Sequence, residues 1–228
     1  MKYYIANPDL DLQIAEIRQK IRLSMNGIIS DQMSQNGIFY KKNYGVDIPR
    51  IKEITKSYIP NHDLAQRLWN LQIRETMIMA TLLEPIEKFS EEMAQNWVKT
   101  FNQIEIVEQA GMNLFSKLPF ATTLSIKWVN SPEIWIQISG YIVAARIVDT
   151  FNQAEITELV HRAIELSEIN ELHLYKAIAL YLSRYCRRDK ETATYILKEI
   201  ESFSQSLLIS QQYIYNEVQQ EILFLNIL

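Results

Sequence analysis

Apolar residues recur every three or four positions from early in the chain, where Leu10, Ile14, Ile17, Ile21, Met25 and Ile28 mark one face of a helix over 9–33. Such spacing follows the 3.6-residue turn. Pro8, tolerated in a first helical turn but not in an interior, sets the start. The run Ser34-Gln35-Asn36-Gly37 breaks the pattern, and 39–46, with Lys41, Lys42 and Gly45, predicts a connector. From Ile48 onward the periodicity predicts short helices in succession, at 48–58, 62–70, 73–83, 90–101, 104–117, 122–129, 132–150, 153–167, 171–187, 190–204 and 210–227. No segment between them reads convincingly as a strand.

Pro60, Pro85, Pro119 and Pro132 each sit where a helix must stop, since proline neither donates to the preceding turn nor lets its neighbour stay helical. Ser90-Glu91-Glu92-Met93 and Asn130-Ser131-Pro132-Glu133 carry N-terminal capping chemistry, with acids near the positive end of the dipole. Helices this short are marginal alone, so each must bury a face, and short connections make neighbours pack antiparallel. The expected fold is all-α: a right-handed superhelical stack of antiparallel helix pairs, HEAT-like repeats of about 40 residues each, forming a single domain over 1–228. A non-repetitive helical domain is the competing architecture.

Composition narrows the classes. Apolar residues make up 48% of the 228, while Gly (5) and Pro (6) are too scarce for a turn-rich sandwich. A net charge of −4 excludes a protein that coats nucleic acid with its whole surface, leaving room only for a local basic stripe. The single cysteine, Cys186, excludes an internal disulfide framework and makes the reducing cytoplasm the expected compartment. The start, Met-Lys-Tyr-Tyr-Ile-Ala-Asn-Pro-Asp-Leu, lacks the apolar run of a signal peptide, and no membrane association is expected.

Several motifs fall in a familiar order. Tyr44-Gly45-Val46-Asp47-Ile48-Pro49-Arg50 opens the array; Leu64 to Trp69 forms a Leu-Trp helix; Arg74-Glu75-Thr76-Met77-Ile78-Met79-Ala80-Thr81-Leu82-Leu83 follows; Trp97-Val98 and the set Trp128, Ser131 and Trp135 come later. Over 44–185 the chain resembles the HEAT-like DNA alkylation repair family. That resemblance implies a curved stack whose concave face holds duplex DNA, and active members that release cationic alkylated purines as glycosylases.

Breaking the bond to a cationic purine requires an electron-poor sugar to be stabilised, a task for a carboxylate and aromatic faces. The family's Trp-Asp-x-x-Asp segment corresponds here to Ile104-Glu105-Ile106-Val107-Glu108, which keeps a charge at Glu108 and loses the indole. Its Trp-x-Arg-Arg becomes Trp135-Ile136-Gln137-Ile138, without either guanidinium. Its Lys-x-Ile-Gly-Trp becomes Lys176-Ala177-Ile178-Ala179-Leu180, without the second indole. Glu108 therefore reads first as a solvated helix carboxylate, with catalysis and a partner contact as alternatives.

The other chemistry is sparse. His62, His161 and His173 stand apart from one another and from acids at metal-ligand spacing, so no metal and no cofactor are expected. Cys186 has arginines nearby but no His partner, and reads as an inert thiol. No glycine-rich phosphate loop or Gly-x-Ser-x-Gly elbow occurs. Two basic groups remain: Lys41, Lys42, Arg50, Lys52 and Lys56 around the first array helix, and Arg184, Arg187, Arg188 and Lys190 between two later ones. Cations at a helix C-terminus need only the dipole to explain them; phosphate contact is the alternative. Trp69, Trp97, Trp128 and Trp135 suit core packing, and Trp128 and Trp135 are the better candidates for an exposed ring. The DNA-binding candidates are Lys127, Trp128, Trp135, Lys176, Arg184, Arg187 and Arg188, with Arg146 a further cation that could lie on the same face. The apolar last helix, with Ile214, Val218, Ile222, Leu223, Leu225, Ile227 and Leu228, is expected to seal the stack.

Three functions remain: a DNA-repair-related protein that binds duplex or branched DNA with base excision lost or altered, a helical scaffold for a protein partner, and a glycosylase working through Glu108. The sequence leaves oligomeric state open.

Overall fold

The computed structural model describes residues 6–226, which divide into two compact units after Met93. Ile227 and Leu228 of the expected terminal seal lie outside the described residues. The described residues are all helix and turn, apart from an isolated bridge between Lys42 and Ile73.

In the first unit, α1 (Pro8–Leu23) begins where the Asn7 side chain accepts from Leu10 N at 3.2 Å, and it buries Leu10, Ile17 and Ile21. The predicted helix over 9–33 is two helices. Asn26 leaves the helical path because its N–H donates to Tyr44 O at 2.8 Å, and its side chain then caps α2 (Gly27–Gln35). Met25 and Ile28, placed by the spacing on the apolar face of one helix, are consequently exposed. Asp47 caps α3 (Ile48–Thr55) and Asn61 caps α4 (His62–Asn70); each side chain satisfies an N–H the helix cannot. Both pack on α5 (Arg74–Leu83), in which Arg74 through Thr81 are all buried.

The connector before α3 is pinned by two devices. Gly45 lies at φ +67, and a Cβ there would stand 2.1 Å from Asn26 O, so only glycine lets the chain pass α2. Glu75, fully buried in α5, accepts through Oε1 from Tyr44 N at 3.1 Å and Val46 N at 3.2 Å. Arg74 Nη1 donates to the same Oε1 and, at 2.7 Å, to Val46 O. The Tyr44 to Val46 motif is thus a backbone segment held by a buried ion pair.

The second unit begins inside α6 (Glu91–Val98) and continues through α7 (Ile104–Asn113) to three consecutive helix pairs. These are α8 (Ala121–Val129) with α9 (Ile134–Ala144), α10 (Gln153–Leu166) with α11 (Leu172–Cys186), and α12 (Lys190–Glu199) with α13 (Ile209–Leu225). The helices expected at 104–117, 132–150 and 190–204 end earlier, each followed by a short 3-10 turn, because their last N–H groups reach back three residues instead of four. In the first pair, Gly140 lets the backbones meet: a Cβ would lie 2.8 Å from Val129 N and 3.0 Å from Ser125 O.

The second helices run in the same direction. Near their starts Trp135 of α9 lies 5.6 Å from His173 of α11, and Tyr175 of α11 lies 5.1 Å from Tyr213 of α13. At their far ends Arg184 reaches Ala145 O and Arg187 reaches Glu221. Successive pairs are stitched by side-chain donors to carbonyls at helix ends, which otherwise lack partners. Arg162 Nε donates to Val129 O (3.3 Å), Arg184 Nη1 to Ala145 O (3.0 Å) and Ser210 Oγ to Ser167 O (2.6 Å). The terminal helix α13 buries Ile214, Val218 and Ile222, yet leaves Leu223, Phe224 and Leu225 exposed. No helix among the described residues is long and apolar enough to cross a membrane.

Candidate nucleic-acid interface

Residues on one helical face recur at i, i+3 and i+4. On α11 that rule groups His173, Lys176, Leu180, Arg184 and, at the C-cap, Arg187, all exposed or half-buried on a helix whose other positions are mostly buried. Trp135 lies in the first turn of α9 and Arg146 in the turn just past its C-cap Ala145, eleven positions on. His173 and Arg184 have the same separation. Two parallel helices therefore carry an aromatic and imidazole pair at their starts and guanidinium groups at their ends.

The guanidinium end is a small charge network. Arg146 Nη1 donates to Ile142 O and Arg184 Nη1 to Ala145 O, both at 3.0 Å, so each covers a carbonyl at the end of α9. Burial, and then the neighbouring Arg184 cation, lower the Arg146 pKa, while Glu108 opposes the shift; Arg184 is lowered by burial and then by Arg187, with Glu221 opposing. Both remain charged at neutral pH, because arginine starts so high. Arg187 Nε meets Glu221 Oε1 at 2.7 Å, and Arg188 Nε stands 3.9 Å from Asp149 Oδ1. Val148, Asp149, Arg184, Arg187 and Arg188 line a cleft of about 300 Å³. Four arginines face four carboxylates, Glu108, Asp149, Glu221 and Asp189, the last of which also feels the Arg188 charge, so the network is balanced as it stands.

The sequence candidates divide. Arg184, Arg187 and Arg188 come together, and Arg146 joins them. Glu108 is exposed on α7 and acts on Arg146. Lys176 holds its ammonium 5.7 Å from the Tyr213 ring, and Trp135 is half-buried beside His173. Trp128 is a correction: only 1% exposed, it donates Nε1–H to Gln95 at 2.9 Å and packs edge-on against Phe115, so its ring has no face to offer a base. Trp69 and Trp97 are buried core as well. Lys127 is exposed on α8, whose neighbours are α9 and α10, and no contact among the described residues links it to the arginines. Gln137, where the family has an arginine, is buried and donates to Ser131 O at 2.7 Å; Ile138 is fully buried and Leu180 half-buried.

Cys186 is buried, and burial followed by the Glu221 charge pushes its thiol up to about 12, which keeps it protonated and unreactive. Among the described residues no three His, Cys, Asp or Glu side chains are grouped to hold a metal ion. Sequence reasoning missed Asp149 and Glu221. Asp149 could have been found, three residues after Arg146 in a connector; Glu221, 34 residues beyond Arg187, left no local signal.

Stacked antiparallel pairs with a parallel layer of second helices define a HEAT-like helical-repeat protein. The family model for DNA alkylation repair enzymes matches residues 17–208, and the chain belongs to that family. A solved structure from a family related to the HEAT-like repeat DNA glycosylases, with affinity for branched DNA structures, is similar at 16% identity and a TM-score of 0.73, covering 90% of this chain and 94% of that one. An engineered protein overlaps less, at 14% identity and a TM-score of 0.41 over 77% and 84% of the two chains. The sequence matches no curated protein.

Proposed function

We propose that this protein binds the DNA backbone along the face formed by α9, α11 and α13, and that it does so without excising bases. The observation that carries the reading is the solvent-facing stripe of α11, which runs from Lys176 to Arg184 and Arg187 and opens beside Arg188 into the arginine-lined cleft. Guanidinium groups suit phosphate because their planar fork donates two parallel hydrogen bonds. Family membership supports DNA as the polyanion, and the affinity of the similar solved protein for branched structures supports a branched form. Replacement of the family's indoles by Ile104 and Leu180, and of its arginines by Gln137 and Ile138, supports the loss of excision.

The test is binding of labelled duplex and four-way branched DNA at low and moderate salt, with base release assayed on methylated duplex. Expected are affinity that falls steeply with salt, preference for the branched form, and no released base. Arg187→Ala together with Arg188→Ala should weaken binding at least about tenfold, since each lost charge-assisted contact is worth about 1.5–3 kcal/mol. Wild-type protein that binds no DNA at low salt overturns the reading, and released base overturns the loss of excision. A protein scaffold is the second reading, favoured by exposed Leu223 and Phe224 on α13.

A further inference from the structure

We infer that the cleft beside α11 takes one backbone phosphate by ligand exchange, with Glu221 and Asp149 occupying the arginines until DNA displaces them. The inference rests on the DNA-binding reading and adds which groups set its affinity. In the unliganded protein each of the two outer arginines is engaged through Nε: Arg187 with Glu221 at 2.7 Å and Arg188 with Asp149 at 3.9 Å. A carboxylate and a phosphodiester present the same pair of acceptor oxygens to a guanidinium, so they compete for one partner. The two carboxylates are held differently. Asp149 is 84% exposed and distant enough to swing away, whereas Glu221 is 19% exposed and lies on α13 within the packed layer. Glu221 is the stronger competitor.

Arg184 plays a different part. Its Nη1 is committed to Ala145 O, which fixes its side chain across the end of α9 and keeps its charge at the wall of the cleft. Arg184 is a positioning residue with a fixed charge, while Arg187 and Arg188 are the exchanging pair. Neutralising both acids leaves Glu108 and Asp189 against all four arginines and takes the network from balance to an excess of two positive charges.

The consequence is a gain of affinity from removing charged residues, which a purely structural role for the two pairs does not give. The experiment compares wild type, Glu221→Gln, Asp149→Asn, Arg187→Ala and the double variant Glu221→Gln with Arg187→Ala, measuring affinity for branched DNA at two salt concentrations and checking folding by circular dichroism. Glu221→Gln should bind about two- to fivefold tighter, the range expected for releasing a partly exposed ion pair, and Asp149→Asn less so. In the Arg187→Ala background the Glu221→Gln gain should vanish. Wild-type binding with Glu221→Gln unchanged or weaker, or a gain that persists without Arg187, overturns the exchange and leaves the DNA reading standing. Absence of wild-type binding overturns both.

Discussion

Glu75→Ala tests the lock that fixes the Tyr44 to Val46 segment. The carboxylate is fully buried, and its Oε1 serves two backbone N–H groups and the Arg74 guanidinium at 3.1 to 3.2 Å. Truncation leaves two N–H donors without an acceptor, at about 1–3 kcal/mol each, and a buried cation without its anion, about 3–5 kcal/mol. Since one oxygen serves all three donors the costs overlap, and a loss of about 3–5 kcal/mol is expected. Glu75→Gln keeps an acceptor oxygen but not the charge, so it should lose about half as much. Urea unfolding followed by far-ultraviolet circular dichroism gives the size, and limited proteolysis should show earlier cleavage within 39–47 for the Ala variant. A Glu75→Ala loss under about 1 kcal/mol, less than one orphaned donor should cost, refutes the lock. Equal losses for Gln and Ala would show that charge alone matters.

Two further outcomes can be stated. Gly140→Ala should destabilise by about 1–3 kcal/mol, because the added carbon meets Val129 N and Ser125 O, backbone atoms that move only if α8 and α9 separate; urea unfolding within about 0.5 kcal/mol of wild type would show that the pair absorbs a methyl group. Burial raises the pKa of Glu84 against the opposing bonds from His62 and Gln66, so its stabilising contribution is complete below the ordinary glutamate value and is lost as pH rises through the raised one; the stability of Glu84→Gln relative to wild type should therefore increase with pH across that window, and a flat difference would refute the assignment.

Local signals reached some of this architecture and stopped at long-range contacts. The helix expected over 62–70 coincides with α4, since the Asn61 cap and the apolar spacing lie within the segment itself. The expected helix over 9–33 fails because Asn26 answers to Tyr44, eighteen residues away. Arg74 and Glu75 were legible as part of a motif but not as a buried pair, because their partners are backbone groups of a distant connector. Four tryptophans, each within a predicted helix, gave no means of separating Trp135 from Trp128, whose burial depends on Gln95 and Phe115. The arginines of α11 were visible as a cluster, while Glu221 had to be brought to them by the packing of α13.

The charge order at the ends of α9 and α11 bears on excision as much as on binding. Release of a cationic purine needs unopposed negative charge near a sugar that becomes electron-poor. Glu108 instead acts on Arg146, which stands next to Arg184. A developing sugar cation placed against Glu108 would therefore meet guanidinium groups beyond the carboxylate, and with Ile104 and Leu180 in place of indoles it gains no aromatic face to offset them. A phosphate in the neighbouring cleft of Arg184, Arg187 and Arg188 meets, on the proposed reading, the opposite balance: the arginines attract it, and Glu221 and Asp149 compete only until they are displaced. On the proposed reading, the substitutions that remove glycosylase chemistry and the arginines that gather at the helix ends have one electrostatic effect, turning a site suited to a cation into one suited to an anion.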